Sequence, residues 1–156
     1  MKVPFFNINK VNEPIREEAK KKFIEVLDSG SFILGPEVSL FEKNFASYIG
    51  TKFACGVDNG TSALELIIRA LDIGKDDEVI TTPASFIASS SAIAFTGAKP
   101  VFVDIDPITY NINPELIKNK ITKKTKAILP VHIYGQPADM DEILEIAWEL
   151  DLFVIE

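Results

Sequence analysis

Residues 78–103 read EVITTPASFIASSSAIAFTGAKPVFV and hold two short apolar runs separated by a stretch of helical length. The runs are Glu78 to Thr81 and Pro100 to Val103, and the helix candidate between them is Phe86 to Phe95. Apolar runs without alternation are typical of strands that are covered on both faces. A strand, a helix and a second strand in this order form a crossover unit, which predicts two parallel strands in one sheet.

The same alternation continues on both sides of this stretch. Further runs predicted as strands are Phe53 to Val57, Lys126 to Val131 and Leu152 to Ile155. Further helix candidates are Ser62 to Leu71, Pro114 to Lys120 and Met140 to Leu150. The fold class is therefore α/β, a mostly parallel sheet with helices on both faces. Because ligands of such sheets bind beyond the carboxyl ends of strands, a chain that stops after such a run predicts an incomplete domain over residues 51–156.

Two helices are predicted ahead of the first strand. Pro14 to Leu27 carries apolar residues at helical spacing, and a second helix begins near Gly35-Pro36 and ends at Gly50. Pro36 suits a first helical position, because its missing N–H would have had no partner there. We expect residues 1–50 to form a helical amino-terminal arm.

Composition argues against several classes of function. The 16 basic and 23 acidic residues give a formal net charge of −7, and they are interspersed, so nucleic acid is not an expected partner. The sequence has no apolar run long enough for a signal peptide or a membrane span. Cys55 is the single cysteine, which fits a reducing compartment. We expect a cytoplasmic protein with no membrane partner and no bound metal.

A candidate anion site lies in the turn Asp58-Asn59-Gly60-Thr61-Ser62, between the first predicted strand and its helix. The free N–H groups and the dipole of a helix start favour an anion, Gly60 permits close approach, and the hydroxyls of Thr61 and Ser62 can donate. The pattern favours phosphate. A turn in which Thr or Ser only caps its own helix has the same sequence pattern, so an anion site and a structural cap both stay open here.

Two further residues are predicted at the carboxyl edge of the sheet. Phe86 opens the helix after the second predicted strand, where its ring could stack on a flat cofactor or fold into the core. His132 is the sole histidine and follows a strand, so it could contact a ligand or have a structural role. No Ser-His-Asp set accompanies it.

Four longer stretches together resemble one enzyme family. They are VLDSGSFILGPEVSLFEKNFASYIG (26–50), NGTSAL (59–64), GKDDEVITTPASFIASSSAIAFTGAKPVFVDIDPITYNI (74–112) and ITKKTKAILPVHIYGQPADMDEI (121–143). In this order they resemble the nucleotide-sugar aminotransferases, the DegT/StrS-like branch of the fold-type I pyridoxal-phosphate enzymes. The resemblance implies the amino-terminal part of the large domain typical of pyridoxal-phosphate-dependent transferases.

The resemblance also implies roles for individual residues. Gly60, Thr61 and Ser62 match the segment that holds the phosphate of pyridoxal 5'-phosphate, and Phe86 matches the aromatic residue that stacks on the pyridine ring. Asn59 stands where serine is more usual. No catalytic residue is expected in this chain: Glu156 matches the residue before the aspartate that pairs with the pyridine nitrogen, and the Schiff-base lysine follows much later.

The implied reaction moves an amino group from glutamate to the keto group of a nucleotide-linked deoxysugar, in amino-sugar biosynthesis. The segment Ser29 to Glu37 looks most similar to members acting on dTDP-linked 3-keto-6-deoxyhexoses. Phe32, Gly35 and His132 are the candidate substrate residues, and the resemblance implies a homodimer. Two alternatives stay open, a dehydratase of the same family with histidine in place of the lysine, and a fragment that binds cofactor without catalysis.

Overall fold

The computed structural model describes residues 4–156 and divides the chain into two compact units, one ending at Gly56 and one spanning Val57–Glu156. The helices of the first unit are α1 (Ile8–Asn12), α2 (Arg16–Ser29) and α3 (Pro36–Ile49). The second unit runs α4 (Gly60–Ala70), β1 (Glu78–Thr81), α5 (Ala88–Phe95), β2 (Lys99–Phe102), α6 (Pro114–Ile117), β3 (Thr125–Ile128), α7 (Met140–Glu149) and β4 (Phe153–Val154). Short 3-10 turns cover Glu13–Ile15, Lys118–Lys120 and Ile133–Gly135.

Both helices predicted for the first unit form. α2 ends where Gly30 takes a left-handed φ of 68°, and α3 ends at Gly50 with φ 81°, because glycine adopts this conformation without a steric cost. Pro36 occupies the first position of α3, as its lack of an N–H predicts. Among the helices of residues 4–156, none combines the length and the apolar character needed to cross a bilayer.

Within the described residues, four parallel strands form one sheet in the order β2-β1-β3-β4. Side chains alternate between its faces. Val79 and Ala127 pack in a core cluster with Ile68 of α4 and Ile93 of α5. Their neighbours Ile80 and Ile128 pack in a second cluster with residues of α6 and α7, including Ile117 and Ile143. The predicted α/β class, with helices on both faces of a parallel sheet, is confirmed.

Burial differs between the central and the outer strands. All four residues of β1 are buried, whereas Phe102 of β2 is 44% exposed and Phe153 of β4 is 50% exposed. β2 and β4 each have one neighbouring strand within the described sheet. The prediction of strands covered on both faces is therefore correct for β1 and wrong for β2 and β4.

The strand predicted at Phe53 to Val57 is wrong. These residues are not part of any strand ladder, and Phe53 and Val57 are 78% and 41% exposed. A strand needs a neighbour for its backbone N–H and C=O groups. The N–H of Gly56 instead donates to the Glu42 side chain, with 2.8 Å between nitrogen and Oε1.

The strand order fixes where a ligand crevice can form. The chain passes from β1 outward to β2 and then returns to the other side of β1 to form β3 and β4. Ligands of open α/β sheets bind beyond the carboxyl ends of strands at such a reversal. Residues 82–87 follow β1 and residues 129–132 follow β3, so the topology predicts a ligand crevice beside these two segments.

Candidate functional site

The start of α4 is organised by Asn59. Its side-chain Oδ1 accepts the N–H of Ser62 at 3.0 Å, and its backbone carbonyl accepts the N–H of Ala63 at 3.0 Å. Asn59 is therefore the N-cap, and the helix begins at Gly60 rather than near Ser62 as predicted. Asparagine is among the best N-cap residues because its oxygen replaces a missing backbone acceptor. The Thr61 and Ser62 hydroxyls are not needed for that task.

Two backbone amides remain available at this helix start. Within residues 4–156, the N–H groups of Gly60 and Thr61 have no hydrogen-bond acceptor, as is usual for a first helical turn. A Cβ placed on Gly60 would meet no heavy atom within 4 Å, so there is open space beside the backbone. Free amides, open space and the positive end of the helix dipole together favour an anion.

Asp58 places a negative charge next to the same turn. The Ser62 hydroxyl beside it lowers the pKa of the Asp58 carboxyl, the backbone amides of Asp58 and Asn59 add to the effect, and slight burial opposes it. The Asn59 side-chain amide donates to its Oδ2 at 2.9 Å. Asp58 is therefore ionised near neutral pH, and an anion at the α4 start has to be held against this charge.

The α4 start forms one wall of a cleft of about 600 Å³. Other walls come from Phe86, which precedes α5, and from Glu156, which follows β4. The lining residues are Asn59, Gly60, Thr61, Ala63, Leu64, Ile67, Phe86, Ala88 and Glu156. The part of the lining that the structure describes contains no lysine or arginine, so these residues would hold an anion through hydrogen bonds and the helix dipole.

Phe86 does not open a helix, because α5 begins two residues later at Ala88. Its carbonyl accepts the N–H of Ser89 at 3.2 Å, and Phe86 lies one residue before Ile87, the N-cap of α5. Its side chain is 75% exposed, which removes the alternative that the ring packs in the core. The ring is available to a ligand of the cleft.

His132 is held from two sides. Its Nδ1 accepts the backbone N–H of Ala138 at 3.0 Å, and its Nε2 lies 2.9 Å from Oε2 of Glu156. The imidazole thus joins the segment after β3 to the segment after β4. Glu156 belongs to the cleft lining and His132 does not, so His132 is bonded to a lining residue without being part of the lining itself.

Phe32 and Gly35 lie in the first unit, and their role toward a substrate stays a prediction. Phe32 is 64% exposed. Gly35 is the N-cap of α3, and a Cβ at this position would lie 2.6 Å from the carbonyl oxygen of Ser31. Close packing of the turn before α3 therefore accounts for the glycine without any ligand.

Asn111 has a structural role at the carboxyl edge of the sheet, and the sequence did not indicate this role. Its side chain is almost fully buried and donates to the carbonyls of Gln136 and Pro137 at 3.0 and 2.9 Å, while its oxygen accepts the N–H of Ile133 at 3.0 Å. It thereby fixes the path of the chain between His132 and α7. Asparagine is ordinary in loops, so nothing in the sequence distinguishes this one.

A smaller cleft of about 300 Å³ adjoins the segments after β1 and β3. It is lined by Pro83, Ala84, Ser85, Tyr110, Ile133 and Tyr134. Tyr110 and Tyr134 have φ of 61° and 53°, a left-handed conformation that costs a residue with a Cβ roughly 1–2 kcal/mol. Strain of this kind persists where the surroundings impose it. Asn111 directly follows Tyr110, and its side chain accepts the N–H of Ile133, the residue before Tyr134.

The sequence model of the DegT/DnrJ/EryC1/StrS aminotransferase family matches residues 13–156. The chain belongs to this family. One relative, the dTDP-3-amino-3,6-dideoxy-alpha-D-galactopyranose transaminase of Aneurinibacillus thermoaerophilus, is 50% identical over 154 residues, which are 99% of this chain and 42% of that protein.

Two solved structures share the fold of this chain. S. venezuelae DesV matches with a TM-score of 0.94 and 43% identity, over 98% of this chain and 41% of DesV. Bacillus subtilis NtdA with bound cofactor PMP matches with a TM-score of 0.95 and 38% identity, over 99% of this chain and 36% of NtdA. The chain thus corresponds to an amino-terminal part of these proteins, spanning about two fifths of their length.

Proposed function

We propose that the complete protein is a pyridoxal 5'-phosphate-dependent aminotransferase that moves an amino group from glutamate to the keto group of a nucleotide-linked deoxysugar. The observation that carries the proposal is a single cleft, in a chain of this family, lined by the free amides of the α4 start and by the exposed ring of Phe86. NtdA was solved with the amine form of such a cofactor.

The residues of the cleft suit this cofactor. Gly60 and Thr61 would hold its phosphate through their backbone N–H groups, and the Thr61 hydroxyl can add a donor. The Ser62 hydroxyl, which lies beside Asp58, would donate to the phosphate only after turning away from that carboxylate. Phe86 would stack on the pyridine ring and keep its plane fixed. When bound, the cofactor supplies an electron sink for the bonds made and broken at the amino group.

Charge decides how firmly the phosphate is held by this part of the protein. Glu156 in the lining and Asp58 beside the turn are both acidic. The dipole of α4 and the hydrogen bonds from its first N–H groups would therefore replace the cation that binds phosphate in other sites. We propose that the remainder of the protein contributes the positive charge that balances the phosphate. It would also contain the aspartate and the lysine that the resemblance places after Glu156.

For the substrate we propose a dTDP-linked 3-keto-6-deoxyhexose. The A. thermoaerophilus relative is named for a dTDP-3-amino-3,6-dideoxy sugar, and the sequence of the segment Ser29 to Glu37 looks most similar to family members that act on such sugars. Phe32, Gly35 and His132 are the substrate residues that the resemblance implies, and of these we keep Phe32 and Gly35 as proposed contacts of the sugar. We also propose a homodimer acting in the cytoplasm.

Incubation of the complete protein with pyridoxal phosphate, glutamate and a dTDP-3-keto-6-deoxyhexose tests this function. The expected product, followed by mass spectrometry, is the 3-amino sugar nucleotide, formed together with 2-oxoglutarate. The matching 4-keto sugar nucleotide is the control, and we expect it to react more slowly. A product that has lost a hydroxyl without gaining nitrogen would instead identify a dehydratase, and no reaction with either sugar would contradict the proposal.

A further inference from the structure

The two contacts of His132 determine where its proton lies. A backbone N–H can only donate, so the Ala138 amide requires a lone pair on Nδ1, which lies 3.0 Å away. A neutral imidazole whose Nδ1 is unprotonated carries its hydrogen on Nε2. The 2.9 Å contact between Nε2 and Oε2 of Glu156 is then a hydrogen bond in which His132 donates to the carboxylate.

This bond acts where the sheet ladder ends. β3 and β4 pair through only two residue pairs, Ala127 with Phe153 and Ile128 with Val154. The last backbone bond along this edge is from the N–H of Ile155 to the carbonyl of Ile128, at 3.0 Å. Within the described residues, the His132 contact is the hydrogen bond that holds Glu156, whose side chain is 55% exposed.

Glu156 is also a wall of the cleft that contains Thr61 and Phe86. We propose that His132 is a positioning residue: fixed by Ala138 with its proton on Nε2, it donates to Glu156 and sets the position of that wall. This inference rests on the proposed use of the cleft for pyridoxal phosphate. It gives His132 a role behind the cleft instead of a direct contact with the sugar.

The tautomer is tested first, on the complete protein without cofactor. Nitrogen NMR of the labelled protein distinguishes a protonated from an unprotonated ring nitrogen, and the His132→Gln variant assigns the signals. We expect Nδ1 without a proton and Nε2 with one at neutral pH. A proton on Nδ1 in the neutral ring would overturn the arrangement.

Two variants of His132 separate positioning from simple anchoring of the loop. Gln places an amide N–H near the Nε2 position and keeps the donor to Glu156, whereas Asn places an oxygen near the Nδ1 position and keeps only the acceptor for Ala138. We expect His132→Gln to keep the affinity for pyridoxal phosphate within about twofold and His132→Asn to weaken it roughly tenfold. The opposite order, or equal affinities, would overturn the proposal.

A double-mutant cycle and a folding control complete the test. In a Glu156→Ala background, His132→Asn should add no further loss of affinity, because its partner is already gone. A further tenfold loss there would contradict action through Glu156. Melting temperatures of all variants identify any that fail to fold. If the unchanged protein does not bind pyridoxal phosphate, the proposed function fails, while the tautomer measurement still decides the His132–Glu156 contact.

Discussion

A methyl group at Gly60 would enter open space beside the cleft, whereas at Gly35 it would lie 2.6 Å from the carbonyl oxygen of Ser31. The same substitution should therefore have opposite effects. Gly60→Ala should keep or raise the melting temperature, by the equivalent of roughly 0.5–1 kcal/mol, and should weaken binding of pyridoxal phosphate by obstructing the phosphate. Gly35→Ala should destabilise the protein by about 1–3 kcal/mol.

Thermal melts and a spectroscopic titration with pyridoxal phosphate measure the two effects. Unchanged cofactor affinity in Gly60→Ala would contradict the placement of the phosphate beside this residue. A normal melting temperature for Gly35→Ala would show that the turn at Ser31 relaxes around the added methyl group.

Asn111 allows a second prediction at this scale. Asn111→Ala would leave the N–H of Ile133 and the carbonyls of Gln136 and Pro137 without their partner, and we expect a loss of roughly 2–4 kcal/mol in the free energy of unfolding. Asn111→Asp is the sharper control, since a carboxylate accepts from Ile133 but cannot donate to the two carbonyls. Denaturant titration should find both variants destabilised, and a neutral Asp variant would contradict the assigned bonds.

Residue identity alone predicts part of this site. Gly60, Thr61 and Phe86 could be selected from the sequence as candidates, because glycine and threonine at a helix start suit an anion and an aromatic residue after a strand suits a flat ring; the structure places all three in the lining of one cleft, and their contacts with a cofactor stay a prediction. Asn111 and the proton position of His132 could not be selected. Both depend on contacts across more than five residues, Asn111 with Ile133 and His132 with Ala138 and Glu156, and single-sequence patterns do not contain such contacts.

At the scale of elements, the cap of α4 can be separated from its use as an anion site. Asn59→Ala removes the oxygen that accepts from Ser62 and should cost about 1 kcal/mol of stability. Asn59→Asp keeps this acceptor, but it replaces the donor to Asp58 with a second negative charge, which also lies beside the proposed phosphate. We expect cofactor titration to show weaker binding for Asn59→Asp than for Asn59→Ser, and the melting temperatures of both variants are the folding control. Equal affinity of the two variants would contradict an anion at this helix start.

The amino ends of the strands are linked through Glu78. The Thr122 hydroxyl donates to Oε2 at 2.6 Å and Lys99 lies 3.2 Å from Oε1, and these contacts, with Thr122 the stronger, hold the pKa of Glu78 below its ordinary 4.5. A lowered pKa in the folded state stabilises the protein above the unfolded pKa, and the gain is lost as pH falls through the folded value.

Glu78→Gln should therefore lower the free energy of unfolding at pH 7 by roughly 1 kcal/mol, and the difference should shrink as the pH falls below about 4. Denaturant titrations at pH 7 and pH 3 give the comparison. Glu149→Gln, which breaks an exposed pair with Lys118, is the matched control and should have little effect. A difference for Glu78→Gln that grows in acid would contradict the sign of this argument.

Element boundaries followed the sequence where local signals decide them. Pro36 and Gly50 bound α3 as predicted, because their backbone preferences are intrinsic. Phe53 to Val57 failed as a strand because pairing depends on a neighbour, which an apolar run cannot specify. The start of α4 moved to Gly60 because Asn59, rather than Thr61 or Ser62, caps the helix.

At the scale of the whole molecule, the alternation of apolar runs and helices was sufficient for the parallel α/β sheet. The order β2-β1-β3-β4, and with it the reversal beside β1, was not read from the pattern. That order brings Phe86, the start of α4 and Glu156 to one cleft. The loops that resemble the aminotransferase family therefore line one cleft. The variants of Gly60 and Asn59 test the α4 start in this cleft, and those of His132 test the position of Glu156.

A crystal structure of the complete protein grown with pyridoxal 5'-phosphate is the most direct test of this site. The account predicts phosphate oxygens within hydrogen-bonding distance of the Gly60 and Thr61 amides, with the pyridine ring lying against Phe86. A phosphate bound elsewhere, with the α4 start in contact only with water, would contradict it.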